Sequence, residues 1–296
     1  MKKTIVISSG GSIMRYRDKL NEVCRNPNVD TFAFSSGFMF CVNELNIYPD
    51  YFAFIDPNSA MPALEHICKN KDNINTKVIL LDPLHTKLNY GDFIKWYGTT
   101  PVGRGNFGGW ARFQLLVNEV INYGLAQKIP CLTLKYIYNN LSKYSQFITP
   151  QDDLSDKQFK KRFIFDKLVL KNQLNPTFNE DKLTSVVLPI LNELKLHNIS
   201  LIGFDCQGGR YTSNLKDWYQ LSKQPELKNI KSDKDHVHLP SANRGLEEAK
   251  ISISKYLPKW LDLNIFSITN LVENQYTFLK NFIEYQPIGT LNNKIC

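Results

Sequence analysis

Residues 4–12 read Thr4-Ile5-Val6-Ile7-Ser8-Ser9-Gly10-Gly11-Ser12, and this stretch sets the fold class. Thr4–Ser8 is a short β-rich run closed by a glycine pair, and it reads as a buried first strand. Glycines directly after a first strand let backbone N–H groups come close to a phosphate, and a helix starting behind them favours anions. The stretch is not GxGxxG. The next strand ends in serines where an acid for a ribose hydroxyl would stand, so an NAD-type dehydrogenase is disfavoured. A tight strand-to-helix turn that holds nothing is the competing reading of the same residues.

The pattern recurs downstream. Thr31–Ser35 (TFAFS) ends at Ser35-Ser36-Gly37, Tyr51–Ile55 (YFAFI) at Asp56-Pro57, and Lys77–Leu81 (KVILL) at Asp82-Pro83. Each run is apolar on both faces, as strands of a covered parallel sheet are. Each ends in residues that start turns and cap helices. Ala60–Asn70 and Phe113–Ala126 have helical spacing, as does Thr184–His197, which Thr184 or Ser185 can cap. Ser200–Phe204 reads as a later strand, Leu246–Trp260 as a helix, Leu263–Ile268 as a last strand and Leu271–Ile283 as a C-terminal helix. Strands alternating with helices predict an α/β protein, a single Rossmann-like, doubly wound, mainly parallel sheet. Asn89–Trp110 is rich in glycine and aromatic residues and reads as a loop; residues 139–182 are polar and read as irregular. Together, 89–182 are expected to form a lid or insertion in one domain spanning 1–296.

Composition bounds the function. With 296 residues, 43% hydrophobic and 22% charged, the chain can bury a large core without disulfides. The six cysteines are scattered with no CxxC pair, which argues against structural zinc and for a reducing compartment. Lys2-Lys3 precedes only Ile5-Val6-Ile7, too short for a secretion leader, and no run approaches the roughly 20 apolar residues of a membrane span. A cytoplasmic protein is expected. The net charge of +8 is spread along the chain. No basic block interleaved with aromatics stands out, so nucleic acid is disfavoured. A diffuse positive field suits an anionic substrate or an anionic membrane surface.

Three further constellations bear on chemistry. Ser35, Ser36, Asp56 and Asp82 end strands on one edge of a parallel sheet, where they can converge on one crevice. Asp82 reads as an ordinary turn former, whereas Asp56 is balanced between turn and ligand. Gly203-Phe204-Asp205, followed by Cys206-Gln207-Gly208-Gly209-Arg210-Tyr211, makes a loop able to wrap a ligand, with Arg210 and Tyr211 as donors to a phosphate; a plain surface loop fits equally well. His236-Val237-His238 has no third ligand nearby, so no metal site is expected, and either histidine is a candidate general base. His66, His85 and His197 look helical or turn-bound and receive no role.

Taken in order, these pieces resemble the bacterial sialyltransferases of glycosyltransferase family 42, which use CMP-sialic acid. The family's first loop is matched by Ser9-Gly10-Gly11-Ser12, its second by Ser35-Ser36-Gly37-Phe38 and its third by Asp56-Pro57-Asn58-Ser59. Its Thr-Ser helix start, strand and Gly/Tyr loop are matched by Thr184-Ser185, Leu201–Asp205, Gly208-Gly209 and Tyr211, and its downstream histidine by His238. The matches cover 1–60 and 182–272. Where the family has asparagine this chain has Ser9 and Asp56, and where it has arginine before Thr-Ser this chain has Lys182. One of its two tyrosines falls at Cys206 or Gln207.

The resemblance implies an inverting transferase acting from a CMP-sugar donor, with no further cofactor. His238 would be the base, with Tyr211 and Lys182 at the departing phosphate. Ser9, Gly10, Gly11, Ser12, Ser35, Ser36, Asp56, Thr184, Ser185, Gly203, Asp205 and Cys206 would line the nucleotide. The implied acceptor is an oligosaccharide of lipooligosaccharide or capsule; a peripheral contact with the inner membrane and a homo-oligomer stay open. Two other readings stay open: a different nucleotide-dependent transferase on a related fold (pyrophosphokinase-like), and a non-catalytic glycan-binding protein.

Overall fold

The computed structural model describes residues 2–10, 12–55, 57–82, 84–86, 107–130, 132–133, 141–153, 155, 160, 164, 177–178, 186–196, 198–204, 265–267 and 284–285. Ten strands lie in this set: β1 (Lys3–Ile7), β2 (Val29–Phe34), β3 (Tyr51–Ala53), β4 (Lys77–Asp82), β5 (Ala126–Pro130), β6 (Leu132–Thr133), β7 (Thr177–Phe178), β8 (Ile199–Ile202), β9 (Ile265–Ser267) and β10 (Glu284–Tyr285). Eight of them form one sheet in the order β10-β9-β8-β1-β2-β3-β4-β5, and β6 pairs with β7 separately. Every pairing in the large sheet is parallel. The α/β, doubly wound reading of the sequence is therefore the observed architecture.

The helices are α1 (Ser12–Arg15), α2 (Arg17–Cys24), α3 (Gly37–Glu44), α4 (Pro57–Lys69), α5 (Phe107–Asn122) and α6 (Leu188–Glu193). From β1 the sheet grows outward through β2, β3, β4 and β5, then the chain returns to lay β8 on the other side of β1. The rule of right-handed crossovers would set α2 to α5 on one face of this strand order and α6 on the other. This double cover explains the sequence signature. Ile5, Val6 and Ile7 of β1 and Val78, Ile79 and Leu80 of β4 are wholly buried although consecutive side chains point to opposite faces.

An aromatic run fills the α3–α5 side. Phe38 of α3 lies 5.0 Å from Phe52 of β3, Phe52 lies 5.4 Å from Phe54, and Trp110 lies 5.3 Å from Phe113 on α5. Three cysteines, Cys24, Cys41 and Cys68, are free thiols in this part of the molecule. Burial pushes the Cys24 and Cys68 thiols up to about 12 and the Cys41 thiol well above its ordinary value, so they stay protonated and act as small apolar fillers.

Several elements differ from the sequence reading. The helix expected over Phe113–Ala126 is α5, and it begins at Phe107 inside the stretch read as a loop. It ends at Asn122 because Gly124 takes φ +70 and closes the helix with N–H bonds from Gly124 to Ile121 and from Leu125 to Val120. Ala126–Pro130, read as helix end and loop, is the edge strand β5. Gln127, Lys128 and Pro130 are exposed there, so the apolar run that marks the inner strands is missing. Residues 107–122 and 126–130 thus belong to the main sheet and its cover. Helix α4 starts at Pro57, three residues before the expected Ala60, because proline at a first helical position gives up only an N–H that has no helical partner. α6 ends at Glu193, short of the expected His197, and Ile265–Ser267 is followed by a further strand, β10. The helices expected over Leu246–Trp260 and Leu271–Ile283 lie outside the described residues. No described helix is long and apolar enough to cross a membrane.

Candidate functional site

Because the sheet is parallel, the C-terminal ends of β1, β2, β3, β4 and β8 share one edge. The direction of winding reverses between β1 and β8, and ligands in doubly wound sheets sit in the crevice at such a reversal. Ser8 ends β1, Ser35 and Ser36 end β2, and Gly203 ends β8. The three serines are each below 10% exposed.

The first loop is stitched to β8. The Ser8 N–H donates to the Ile202 carbonyl at 2.9 Å, and the Gly10 N–H donates to the Gly203 carbonyl at 2.8 Å. Gly203 takes φ +78, and a Cβ there would stand 2.7 Å from the Ser8 oxygen and 2.8 Å from a methyl of Ile13. On the opposite flank, a Cβ at Gly37 would stand 2.3 Å from the Ile7 carbonyl oxygen. Two glycines therefore let the ends of β2 and β8 close on the end of β1, and any side chain would force them apart.

This geometry sharpens the reading of residues 8–12. The Gly10 N–H is committed to protein and is not presented to a phosphate. Helix α1 behind the loop is a single turn, Ser12–Arg15, broken at Tyr16, so its dipole adds little. What Gly10 contributes is the close seam with β8.

Ser35 is the strained residue of the edge. It is 5% exposed and holds φ +57, a left-handed conformation that costs a non-glycine residue about 1–2 kcal/mol. Its N–H donates to the Ala53 carbonyl at 2.8 Å, and its own carbonyl accepts from the Phe38 N–H at 3.4 Å. The turn thus joins the ends of β2 and β3 to the start of α3. Buried polar residues held in unfavourable backbone wells concentrate at functional sites.

The fourth strand end holds a residue that sequence reading passed over. His85 is wholly buried. The Leu81 N–H donates to its Nδ1 at 3.1 Å, so Nε2 carries the proton and donates to the Ile55 carbonyl at 3.1 Å. Its ring stacks on Phe54 at 4.3 Å and meets Phe113 edge-on at 6.0 Å. Burial, offset in part by the bond to Ile55, lowers its pKa to about 4. The one local signal is its spacing, four residues after Leu81. Asp82 behaves as the turn former expected of it, its carboxylate accepting from the Thr86 hydroxyl.

Of the residues singled out from sequence, the structure places Ser9, Gly10, Ser12, Ser35, Ser36 and Gly203 on this edge. Gly11, Asp56, Lys182, Thr184, Ser185, Asp205, Cys206, Tyr211 and His238 lie outside the described residues. The chain matches no protein-family profile and no curated protein. Among solved structures it is similar to the sialyltransferase CstII from Campylobacter jejuni in complex with the substrate analogue CMP-3FNeuAc, at 12% identity and a TM-score of 0.40. It is also similar to a variant of sialyltransferase Cst-II in complex with CMP, at 13% identity and a TM-score of 0.42. Each comparison covers 97% of this chain and 87% of the other. Neither likeness decides the chemistry of this chain.

Proposed function

We propose that the chain is an inverting glycosyltransferase that moves sialic acid, or a related nonulosonic acid, from a CMP-sugar to a cell-surface glycan. The observation that supports this reading is the edge described above. The serine-ended strands β1 and β2 and the Gly203 end of β8 close on one another where the winding reverses, the place at which such sheets take nucleotides. The resemblance carried by the order of motifs along the sequence points to a cytidine monophosphate sugar as that nucleotide.

In the proposed reaction His238 takes the proton of an acceptor hydroxyl. The freed oxygen attacks the anomeric carbon from the face opposite CMP, the bond from that carbon to the phosphate oxygen breaks, and its electron pair leaves with CMP. Tyr211 and Lys182 donate to the phosphate as its charge grows, and donors fixed in advance at a growing charge are an efficient form of catalysis. Thr184, Ser185, Asp205 and Cys206 line the nucleotide together with Ser9, Gly11, Ser12, Ser35, Ser36 and Asp56, while Gly10 and Gly203 keep the floor closed. The acceptor is an oligosaccharide of lipooligosaccharide or capsule, met at the inner-membrane surface, and the protein works as a homo-oligomer.

Purified protein given CMP-sialic acid and a galactose-ended acceptor releases CMP on this reading. No release, together with no CMP binding by calorimetry, overturns it.

A further inference from the structure

Beyond Ala53 the sheet is split, and a side chain fills the split. Ala53 of β3 pairs with Ile79 of β4, so the same register carried on by two residues would set Ile55 opposite Leu81. Strand β3 stops at Ala53, however, and the two groups meet through the His85 ring. Leu81 donates to Nδ1, and Nε2 donates to Ile55. In a continued ladder the Leu81 N–H would meet the Phe54 carbonyl, as the Lys77 N–H meets the Asp50 carbonyl; the imidazole instead takes that N–H and carries a bond on to Ile55. The wedge is itself fixed. Phe54 and Phe113 pack the ring, the His85 N–H donates to the Leu81 carbonyl at 2.7 Å, and the Gln114 amide reaches the His85 carbonyl at 3.4 Å.

We propose that His85 is a positioning residue for the nucleotide crevice: by holding the Ile55 carbonyl away from Leu81, it sets the direction in which the chain leaves β3 and enters α4. This rests on the reading of the edge as a nucleotide site. One strand over, Ser35 holds the same segment through the Ala53 carbonyl, so the exit from β3 is fixed from both sides. A purely apolar residue of similar size would fill the space but leave the Leu81 N–H and the Ile55 carbonyl without these partners. A shape requirement alone therefore does not account for histidine here.

The test uses the full chain with His85→Leu and His85→Gln, the glutamine being able to accept and donate as the ring does. Hydrogen–deuterium exchange is read over 54–64 and over β1 and β2, and CMP affinity is read by calorimetry. In His85→Leu, exchange over 54–64 rises and CMP affinity falls roughly tenfold, as an exit held in the binding-competent direction about a tenth of the time implies, with β1 and β2 unchanged. His85→Gln recovers most of both. If His85→Leu does not fold, His85→Asn, too short to span both groups, takes its place. Unchanged exchange over 54–64, or an equal rise across the sheet, overturns the proposal, as does a folded His85→Gln no better than His85→Leu. If the exchange pattern is as expected but the unsubstituted protein binds no CMP, His85 holds the strand exit and the nucleotide reading falls.

Discussion

Lowering the pH should destabilise this protein through one imidazole. In the folded chain His85 accepts a proton only near pH 4, because burial opposes the charge and Nδ1 is already occupied by the Leu81 N–H. In the unfolded chain the same ring protonates near 6.5. Between these values the unfolded state binds more protons, so stability rises with pH across that window. The contribution is fully present above about pH 6.5 and is lost as pH falls toward 4. At about pH 4.5 the two pKa values give a loss of about 2.5 kcal/mol relative to pH 7.5. Asp82, at the end of the same strand, accepts from Thr86, and carboxylates elsewhere add their own slopes. The assay is therefore a difference. Urea midpoints are measured at both pH values for the protein and for His85→Gln, which does not titrate. The unsubstituted protein should lose about 2.5 kcal/mol more than the variant across this span. Equal losses would refute the reasoning and show that the ring is reachable by solvent or protonated in the fold.

Other expectations follow from the same geometry. Gly37→Ala should lower stability by about 2–3 kcal/mol, since its Cβ would press on the Ile7 carbonyl and a backbone atom cannot swing aside; thermal unfolding reads it. Gly203→Ala should cost about 3 kcal/mol, combining the positive φ with the contact on Ser8, and should abolish CMP binding in calorimetry. Lys195→Gly should raise stability by about 1 kcal/mol in a urea titration, because Lys195 closes α6 at φ +54, where only glycine avoids the left-handed penalty. His238→Ala should abolish transfer and spare CMP binding; if His236→Ala does this instead, the base is His236.

The legible parts of the fold were those with a local cause. TIVIS, TFAFS, YFAFI and KVILL stood out because burial on both faces leaves uninterrupted apolar runs, and each corresponds to an inner strand. β5 was hidden because an edge strand needs no such run, and Gln127 and Lys128 point to solvent. The start of α5 was hidden because Gly108-Gly109 lowers helix propensity, and packing overrode it. At the site, Ser35, Ser36 and Gly203 were found from their strand-end positions. Gly37 was noted only as part of a turn, and its contact with Ile7 lies across strands.

By itself, the sequence determined that this is a parallel, doubly wound α/β protein with small polar residues at its strand ends, because double burial and turn chemistry act on neighbours along the chain. Strand order was decided only in the tertiary structure. Setting β8 beside β1 brings Gly203 onto Ser8 across nearly two hundred residues and commits the Gly10 N–H, which the sequence reading had offered to a phosphate. The split between β3 and β4 turns a histidine without an apparent role into the bridge between Leu81 and Ile55. Both depend on which strands become neighbours, and that follows from crossover handedness and core packing rather than from any local run of residues.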